Sequence, residues 1–363
     1  MKMDIVYSLQ AQQESSYPTT LKNIDTWPSD RVANYTGSDR KDGVISPNGR
    51  RYLIKYAQKH TGKDDMDTSD VNNALSEYLS SHILGIIGCP VHHTFLATRN
   101  GELVVACENF IQKDQELIEF GTYMRKQYDS AEISRVPRYR QIKEILSTDP
   151  DLRMNPNLWN DYCRRFVGDA FVGNFDRHMG NWGYLVSGTA RTAPPVPAPV
   201  YDNGSTLFPA LSSKEMHTIL PKKKELLKRT LLFPKAALAI KGQKISYMDM
   251  LSSNFDPAMT EAVLQIVPVI QEKMPEIKKF FHDQTFLSDT KKTFYQIILQ
   301  TRLNFLLEPA LEACRTGKYH PDAKKRLKND IAYTEADFER DYDTLCRDAA
   351  WQQKLQKLEH HIK

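Results

Sequence analysis

The stretch that decides the fold runs from Val172 to Gly183 and reads VGNFDRHMGNWG. It places Asp176 and Asn181 five residues apart. A carboxylate and an amide at this spacing on a tight loop can face two different groups, an acceptor hydroxyl and a metal ion. A helical pattern over Trp159–Val172 precedes the loop and a β-like run over Gly183–Val186 follows it. The sequence therefore predicts a functional loop between a helix and a strand.

A second acidic position follows about twenty residues later, where the chain reads VYDNGS from Val200. A β-like run over Pro199–Tyr201 is expected to return the chain as a short hairpin and to bring Asp202 beside Asn181. Magnesium prefers carboxylate and amide oxygens, and phosphoryl transfer also needs a carboxylate that deprotonates the attacking hydroxyl. The pattern predicts Asn181 and Asp202 as metal ligands and Asp176 as the catalytic base.

Two residues nearer the N-terminus complete this set. The run Gly43–Ala57 predicts a hairpin around a Pro-Asn-Gly turn, which puts Lys55 on its second strand. A helix predicted over Val71–Leu84, with Asp70 as its N-cap, carries Glu77. A strand lysine that binds nucleotide phosphates needs an anionic anchor, and we expect Lys55 and Glu77 to form that ion pair.

The remaining patterns predict an α+β protein of two lobes, a small β-rich one followed by a larger, mainly helical one. Two β-like runs over His92–Thr98 and Leu103–Phe110, joined at Arg99-Asn100-Gly101, complete a β-rich first lobe over residues 1–110. Residues 111–363 form the second lobe, which long helical patterns from Pro257 onward make mainly helical. Adenine contacts are expected between the lobes, from Glu108, Asn109 and Phe110.

Composition excludes several classes of protein. The 363 residues carry 49 Lys and Arg against 45 Asp and Glu, a net charge of +4, which does not indicate a nucleic-acid-binding protein. No apolar run reaches the roughly 18 residues that a membrane-spanning helix needs, and the N-terminus lacks a signal-peptide pattern. We expect a cytoplasmic protein, with export by a route without a classical signal left open. The five cysteines contain no CxxC pair and predict neither disulfides nor a zinc site.

These motifs in this order resemble the HipA-like serine/threonine kinases, in their compact CtkA/HipT-like branch. The resemblance covers about Ser46 to Leu207 and is most specific over Gly173–Gly183 with Tyr201-Asp202, and it includes the Gly88-Cys-Pro90 step after the predicted helix. It implies a two-lobed protein-kinase-like fold. It also implies an enzyme that uses ATP and Mg²⁺ to phosphorylate Ser or Thr residues of proteins, often including residues of the kinase itself. It also implies that Asp176 is the base.

The phosphate-covering loop departs from the common kinase pattern. Residues Thr36–Gly43 contain two glycines but no Gly-x-Gly-x-x-Gly motif. We expect Gly37 and Ser38 to contact the nucleotide. By the resemblance, Ser38 and Ser46 are candidate autophosphorylation sites.

Partners follow only from the family resemblance. It implies a protein substrate, with an aminoacyl-tRNA synthetase as one example, and an antitoxin, and the basic run Lys222–Arg229 is the candidate docking surface. Two alternatives stay open. The Asp-Arg-His-x-x-Asn pattern from Asp176 also resembles phosphoinositide-like lipid kinases, and a nucleotide-binding pseudokinase that acts as an interaction module is the third reading.

Overall fold

The computed structural model describes residues 21–30, 40–57, 73–188, 193–320, 322–329 and 331–362. Its first part is built around a five-stranded sheet in the order β1-β4-β5-β3-β2. The strands are β1 Lys22–Asn23, β2 Lys41–Ile45, β3 Arg51–Tyr56, β4 Thr94–Arg99 and β5 Glu102–Glu108. The predicted hairpins are confirmed as β2–β3 and β4–β5, both antiparallel.

The two hairpin turns use the residues that such turns require. Gly49 has φ +81° in the first, and Asn100 and Gly101 have φ 52° and 76° in the second. Two consecutive positive φ values are typical of the type I′ turn, which favours Asn-Gly. Strand β4 begins two residues later than predicted, and β5 ends two residues earlier, so that Asn109 and Phe110 lie beyond the sheet.

The central strand β3 lies between β2 and β5 and presents different residues to its two faces. Tyr52, Ile54 and Tyr56 are buried in a small core with Ile24 and Trp27. Leu53 packs on the opposite side, against the large core that includes the helix α1 (Asn73–Ile86). Because side chains alternate along a strand, Lys55 shares the face of Leu53 and points toward this helix. The predicted helix is thus confirmed from residue 73, while Asp70 and Val71 lie outside the described residues.

The second part begins with a smaller sheet that holds the functional loop. Its strands are β6 Gln115–Glu119, β7 Gly183–Ser187 and β8 Val196–Pro197, in that order. The prediction of a strand over Pro199–Tyr201 was wrong: β7 pairs with β8, and Val200 forms an isolated parallel bridge with Val91 instead. The short strand β8 lies at the sheet edge, where proline does not interrupt a ladder.

The rest of this part is mainly helical, as predicted. The first helices are α2 Phe120–Gln127, α3 Tyr139–Thr148, α4 Leu158–Val172, α5 Ser213–Ile219 and α6 Lys223–Leu227, with a 3₁₀ turn at Leu152–Met154 and a π-helical turn at Lys228–Leu232. A hairpin of β9 Lys235–Ile240 and β10 Gln243–Ser246 follows. The last helices are α7 Tyr247–Leu251, α8 Pro257–Asp283, α9 Asp289–Arg302, α10 Glu308–Thr316, α11 Ala323–Asn329, α12 Glu335–Arg347 and α13 Ala349–Ile362, with a second π-helical turn at Leu303–Leu307.

One large core joins α1 to the helices of the second part. Leu79 on α1, Phe171 on α4 and Phe281 on α8 are fully buried members of it. The helix α4 packs against α8 over much of its length, which fixes the end of α4 from which the functional loop begins. Among the described helices, none combines the length and the apolar character needed to cross a bilayer.

Gly183 is the position where the small sheet depends most on a missing side chain. A Cβ there would lie 2.3 Å from the carbonyl oxygen of Ile118 and 2.8 Å from the Cα of Glu119. Both atoms belong to the backbone of the paired strand β6, which cannot move aside without breaking the pairing.

We therefore expect Gly183→Ala to lower the free energy of unfolding by about 3 kcal/mol, the upper end of the usual cost of overpacking. Urea unfolding followed by circular dichroism measures this change. Ser187→Ala, at an exposed position of the same strand, is the matched control and should unfold like the wild type. Equal unfolding midpoints for the two variants would contradict the steric argument.

Candidate active site

The functional loop begins where α4 ends. Gly173 caps the helix in the left-handed conformation, with φ 70° and ψ 45°. The backbone N–H of Asn174 then donates to the carbonyl oxygen of Asp169 at 2.9 Å, and the Asn174 side chain donates to the Asp169 carboxylate at 3.1 Å. Glycine tolerates this conformation without strain, so the chain turns sharply out of the helix at this point.

Arg177, which the sequence analysis did not single out, holds the loop in place. Its guanidinium is buried and forms an ion pair with Asp169 at 2.9 Å. It also donates to the carbonyl oxygens of Asn181 (3.1 Å) and Tyr201 and to the side-chain oxygen of Asn203 at 2.6 Å. Burial alone would lower the pKa of Arg177, but Asp169 raises it, so the guanidinium stays charged. One cation therefore binds both the loop and the segment that carries Asp202.

Asp176 and Asn181 lie on the same loop and contact each other. The side-chain amide of Asn181 donates to the carbonyl oxygen of Asp176 at 2.8 Å, which leaves its Oδ1 atom available as an acceptor. The Asp176 carboxylate is partly exposed and receives the guanidinium of Arg135. His178 accepts a hydrogen bond from the Gly180 N–H at 3.1 Å, within the same loop. Burial lowers the pKa of His178, which favours its neutral form.

Lys55, Glu77 and Asp202 come together although they lie far apart in the chain. The Lys55 Nζ atom lies 2.9 Å from Glu77 and 2.8 Å from Asp202, so the predicted Lys55–Glu77 ion pair forms. Burial would lower the pKa of Lys55, but the two carboxylates raise it well above its usual value. Burial would raise the pKa of Glu77, but Lys55 and His92 hold it well below its usual range. Lys55 and Glu77 are therefore both charged near neutral pH.

A second layer of polar side chains fixes Glu77, and the sequence analysis did not identify it. The Nε2 atom of His92 lies 3.0 Å from the second carboxylate oxygen of Glu77 and 3.3 Å from the Ser81 hydroxyl. The Asn203 side chain donates to the same hydroxyl at 3.0 Å. The helix α1 is thus connected directly to the residue that follows Asp202.

The oxygen donors at this site suit a hard divalent cation. Asp202 offers a carboxylate and Asn181 an amide oxygen, and the backbone carbonyls of both residues accept from the same Nη1 atom of Arg177, at 3.5 and 3.1 Å. Such donors bind magnesium in preference to softer metals. Lys55 is placed beside Asp202, where it can neutralise phosphate oxygens. Asp176 lies five residues before Asn181 on the functional loop.

The three predicted adenine-contact residues have different surroundings. The carboxylate of Glu108 pairs with Arg50 at 3.1 Å and lies 3.3 Å from His93. The Asn109 side chain accepts the backbone N–H of Ile111, so it closes a turn. The Phe110 ring lies 5.7 Å from the ring of Tyr201, next to Asp202. The structure therefore brings Phe110 closest to the predicted metal ligands, while the side chains of Glu108 and Asn109 have local partners.

The candidate autophosphorylation sites and the docking surface are only partly described. Gly37 and Ser38 lie outside the described residues. Ser46 is 6% exposed, and its hydroxyl donates to Asn48 and to the Arg50 carbonyl oxygen. Within the predicted docking run Lys222–Arg229, two lysines form ion pairs with helix α12 of the same chain: Lys224 with Glu339 and Lys228 with Glu335, both at 2.5 Å. All five cysteines are free thiols, as expected.

No model of a protein family matches the chain. Among curated proteins it is 29% identical, over 266 residues, to the serine/threonine-protein kinase CtkA of Helicobacter pylori, which covers 72% of this chain and 79% of that protein. The crystal structure of the H. pylori proinflammatory kinase CtkA aligns with a TM-score of 0.73 and 25% identity, over 83% of this chain and 100% of that one. The chain is a serine/threonine protein kinase that is similar to CtkA in sequence and in fold.

A looser likeness extends to the HipA–HipB toxin–antitoxin complex with operator DNA from Shewanella oneidensis, with a TM-score of 0.46 and 13% identity over 73% of this chain and 60% of that one. Of the three alternatives that the sequence left open, the relatives support the serine/threonine protein kinase. The mixed fold, with its small sheet lobe and larger helical part, is the predicted kinase-like one.

The buried Glu77 provides a test of the charge arrangement through stability. We expect Glu77→Gln to destabilise this kinase by about 3–5 kcal/mol at pH 7, because it leaves the buried cation of Lys55 with one carboxylate fewer. The folded pKa of Glu77 lies below the ordinary value of 4.5. Below about pH 4.5 the unfolded wild-type carboxylate takes up a proton that the folded one does not. The difference between wild type and variant should therefore shrink as the pH falls.

Urea titrations between pH 3 and pH 8 measure both effects. Glu102→Gln removes the partner of an exposed ion pair with Arg40 and serves as the matched control, with little change expected. A difference for Glu77→Gln that is small at pH 7, or that stays constant down to pH 3, would show that Glu77 is not held ionised by Lys55.

Proposed function

We propose that this kinase transfers the γ-phosphoryl group of ATP, in a magnesium-dependent reaction, to a Ser or Thr hydroxyl of a protein substrate. The observation that carries the proposal is the position of the Lys55 Nζ atom, within 3 Å of both Glu77 and Asp202. A lysine held between a helix glutamate and a metal-ligand aspartate is the arrangement that protein kinases use for the nucleotide phosphates. We further propose residues 1–110 and 111–363 as the two lobes, with the nucleotide between them.

Each residue has a separate task in this proposal. Lys55, held by Glu77, binds phosphate oxygens of the nucleotide, and Phe110 with the backbone of Glu108 and Asn109 contacts the adenine. Gly37 and Ser38 are assigned to the loop that covers the phosphates. Asn181 and Asp202 would hold Mg²⁺, which when bound neutralises the negative charge that develops on the phosphates.

Asp176 carries out the proton transfer. Its carboxylate accepts the proton of the Ser or Thr hydroxyl, and the hydroxyl oxygen forms the new bond to the γ-phosphorus. The bond between that phosphorus and the bridging oxygen breaks, and ADP leaves with the electron pair. The Asn174 side-chain oxygen, which accepts the Asp176 N–H at 2.9 Å, and the Asn181 amide, which donates to the Asp176 carbonyl, fix the backbone of the base from both sides.

The two aspartates should fail in different ways when they are neutralised. We expect Asp176→Asn to reduce phosphate transfer by about 10²–10⁴-fold with little change in the affinity for Mg·ATP, since a general base acts on the proton and not on the nucleotide. Asp202→Asn should weaken Mg·ATP binding by more than about tenfold, because it removes a metal ligand. Intact mass after incubation with ATP and Mg²⁺ measures transfer, and a fluorescent nucleotide measures affinity.

Wild-type protein with EDTA is the control for the metal, and it should bind the nucleotide as weakly as Asp202→Asn does. An equal loss of nucleotide affinity in both aspartate variants would contradict the separate roles assigned to them. Transfer that persists in Asp176→Asn at the wild-type rate would remove Asp176 as the base.

Autophosphorylation is the second part of the proposal, and we assign it to Ser38 in preference to Ser46. The Ser46 hydroxyl is engaged within the β2–β3 turn and is only 6% exposed as a residue, so it can accept phosphate only when this turn opens. We expect Ser38→Ala to remove the phosphate that wild type gains with ATP and Mg²⁺, and Ser46→Ala to keep it. Mass mapping of digested protein checks this, and phosphate found on Ser46 in wild type would reverse the assignment.

The protein substrate itself is proposed only from kinship. The family resemblance favours a component of translation such as an aminoacyl-tRNA synthetase as acceptor and an antitoxin as partner. The ion pairs of Lys224 and Lys228 with helix α12 mean that a partner docking on this run would contact α12 as well.

A further inference from the structure

The side of Asp176 that an acceptor hydroxyl must reach already holds a cation. The Nη2 atom of Arg135 lies 3.0 Å from one carboxylate oxygen of Asp176 and 2.9 Å from the other. Arg135 belongs to the segment between α2 and α3 and its side chain is 73% exposed, whereas that of Asp176 is 25% exposed. The guanidinium thus covers the carboxylate from the solvent side.

This contact opposes the proposed chemistry as long as it persists. The Arg135 guanidinium donates to both oxygens of the Asp176 carboxylate, so neither oxygen is free to accept the proton of a hydroxyl. Arg135 must therefore move before Asp176 can act. Ion pairs with an exposed partner are weak, so the exchange is easy if another anion is available to receive the arginine.

A second cation lies on the same side. The Lys244 Nζ atom donates to the carbonyl oxygen of Phe175, the residue before Asp176, at 3.1 Å. Burial lowers the pKa of Lys244, and among the neighbouring charges Asp176 raises it and Arg135 lowers it. Two basic residues from different elements therefore lie near the predicted base, Arg135 on its carboxylate and Lys244 on the preceding carbonyl.

The two elements that carry these cations are joined to each other. The Ala239 N–H on β9 donates to the Pro137 carbonyl oxygen at 2.9 Å, and Arg138 forms a parallel bridge with Ala239. The segment with Arg135 and the β9–β10 hairpin with Lys244 consequently form one continuous wall beside Asp176. An extended peptide that presents its hydroxyl to Asp176 would pass along this wall.

We propose that Arg135 and Lys244 form an anion-binding subsite for the substrate, and that the kinase favours a Ser or Thr flanked by Asp or Glu. The acidic side chain of the substrate takes Arg135 away from Asp176 and so frees the base as the hydroxyl arrives. This inference rests on the proposed function, because it takes Asp176 as the base. It adds the class of acceptor sequence, an acidic peptide.

Three peptides that differ only beside a single serine test the inference. One carries Glu on both sides of the serine, one Gln and one Lys, and each is assayed for kcat/KM with wild type, Arg135→Gln and Lys244→Gln. Wild type should favour the Glu peptide over the Gln peptide by about fivefold, in line with one exposed charge pair. Arg135→Gln should bring this ratio close to one, and Lys244→Gln should reduce it.

The matched control is Arg315→Gln, an exposed arginine on α10 that should leave the ratio as in wild type. Added salt should also reduce the preference of wild type, because it screens exposed charges. A ratio that Arg135→Gln leaves unchanged would overturn the inference. An equal loss of kcat/KM on all three peptides in Arg135→Gln would overturn it too. That result would place Arg135 on the transferred phosphate and not on the substrate side chain.

A binding measurement separates failure of the inference from failure of the proposed function. Fluorescence anisotropy with the same three peptides, their serine replaced by alanine, reports recognition without transfer. If wild type phosphorylates none of the serine peptides, the peptide-kinase assignment fails for these acceptors, and the subsite is judged by binding alone. If wild type binds the Glu peptide more tightly than the others and Arg135→Gln abolishes this preference, the subsite is supported. Equal binding of all three peptides to wild type overturns it.

Discussion

The buried ion pair between Arg177 and Asp169 is the interaction on which the active site depends. A guanidinium presents its donors in a fixed plane. Here the donors of Arg177 form hydrogen bonds with α4, with the functional loop and with Asn203 at the same time. An arginine buried without its carboxylate would be costly, so Asp169 on the last turns of α4 makes the whole arrangement possible. The core packing of α4 against α8 thereby determines where the functional residues stand.

A second charged centre, around Lys55, connects the sheet to the helical part. Lys55 comes from β3, Glu77 from α1 and Asp202 from the segment after β8. Three elements that are distant in the sequence must therefore be packed correctly against each other for these charges to meet. The polar contacts of His92 and Asn203 with α1 tie the two centres together. Arg177 also binds Asn203, which in turn binds Ser81 on α1. A shift of α1 would therefore displace the functional loop through these hydrogen bonds.

The sequence predicts the parts of this site that depend on local spacing. The interval between Asp176 and Asn181, and the alternation that places Lys55 on the face of β3 toward α1, follow from loop and strand geometry. Arg177, His92 and Asn203 escaped prediction because their partners lie 8 to 122 residues away in contacts that no periodic pattern reports.

The small sheet shows the same limit. Apolar character alone predicted a strand over Pro199–Tyr201, whereas the pairing register with β7 selects Val196–Pro197. Gly183 is a second example, since the close approach of β6 to β7 is possible only where a side chain is absent. Such a contact depends on the path of the neighbouring strand, and a single strand read by itself contains no sign of it.

The site divides into a buried half and an open half, and the division suits its chemistry. Glu77, Arg177 and Asn203 are buried and fully engaged, which keeps the groups proposed to bind phosphate and metal in fixed positions. Asp176, the proposed base, stands at the open edge, where the hydroxyl of a protein substrate would arrive from solvent. A base at such an edge is also open to competing cations, and the contact with Arg135 is the physical consequence. In the proposed mechanism, the exposure that admits a substrate also allows the negative charge of that substrate to draw Arg135 away from Asp176.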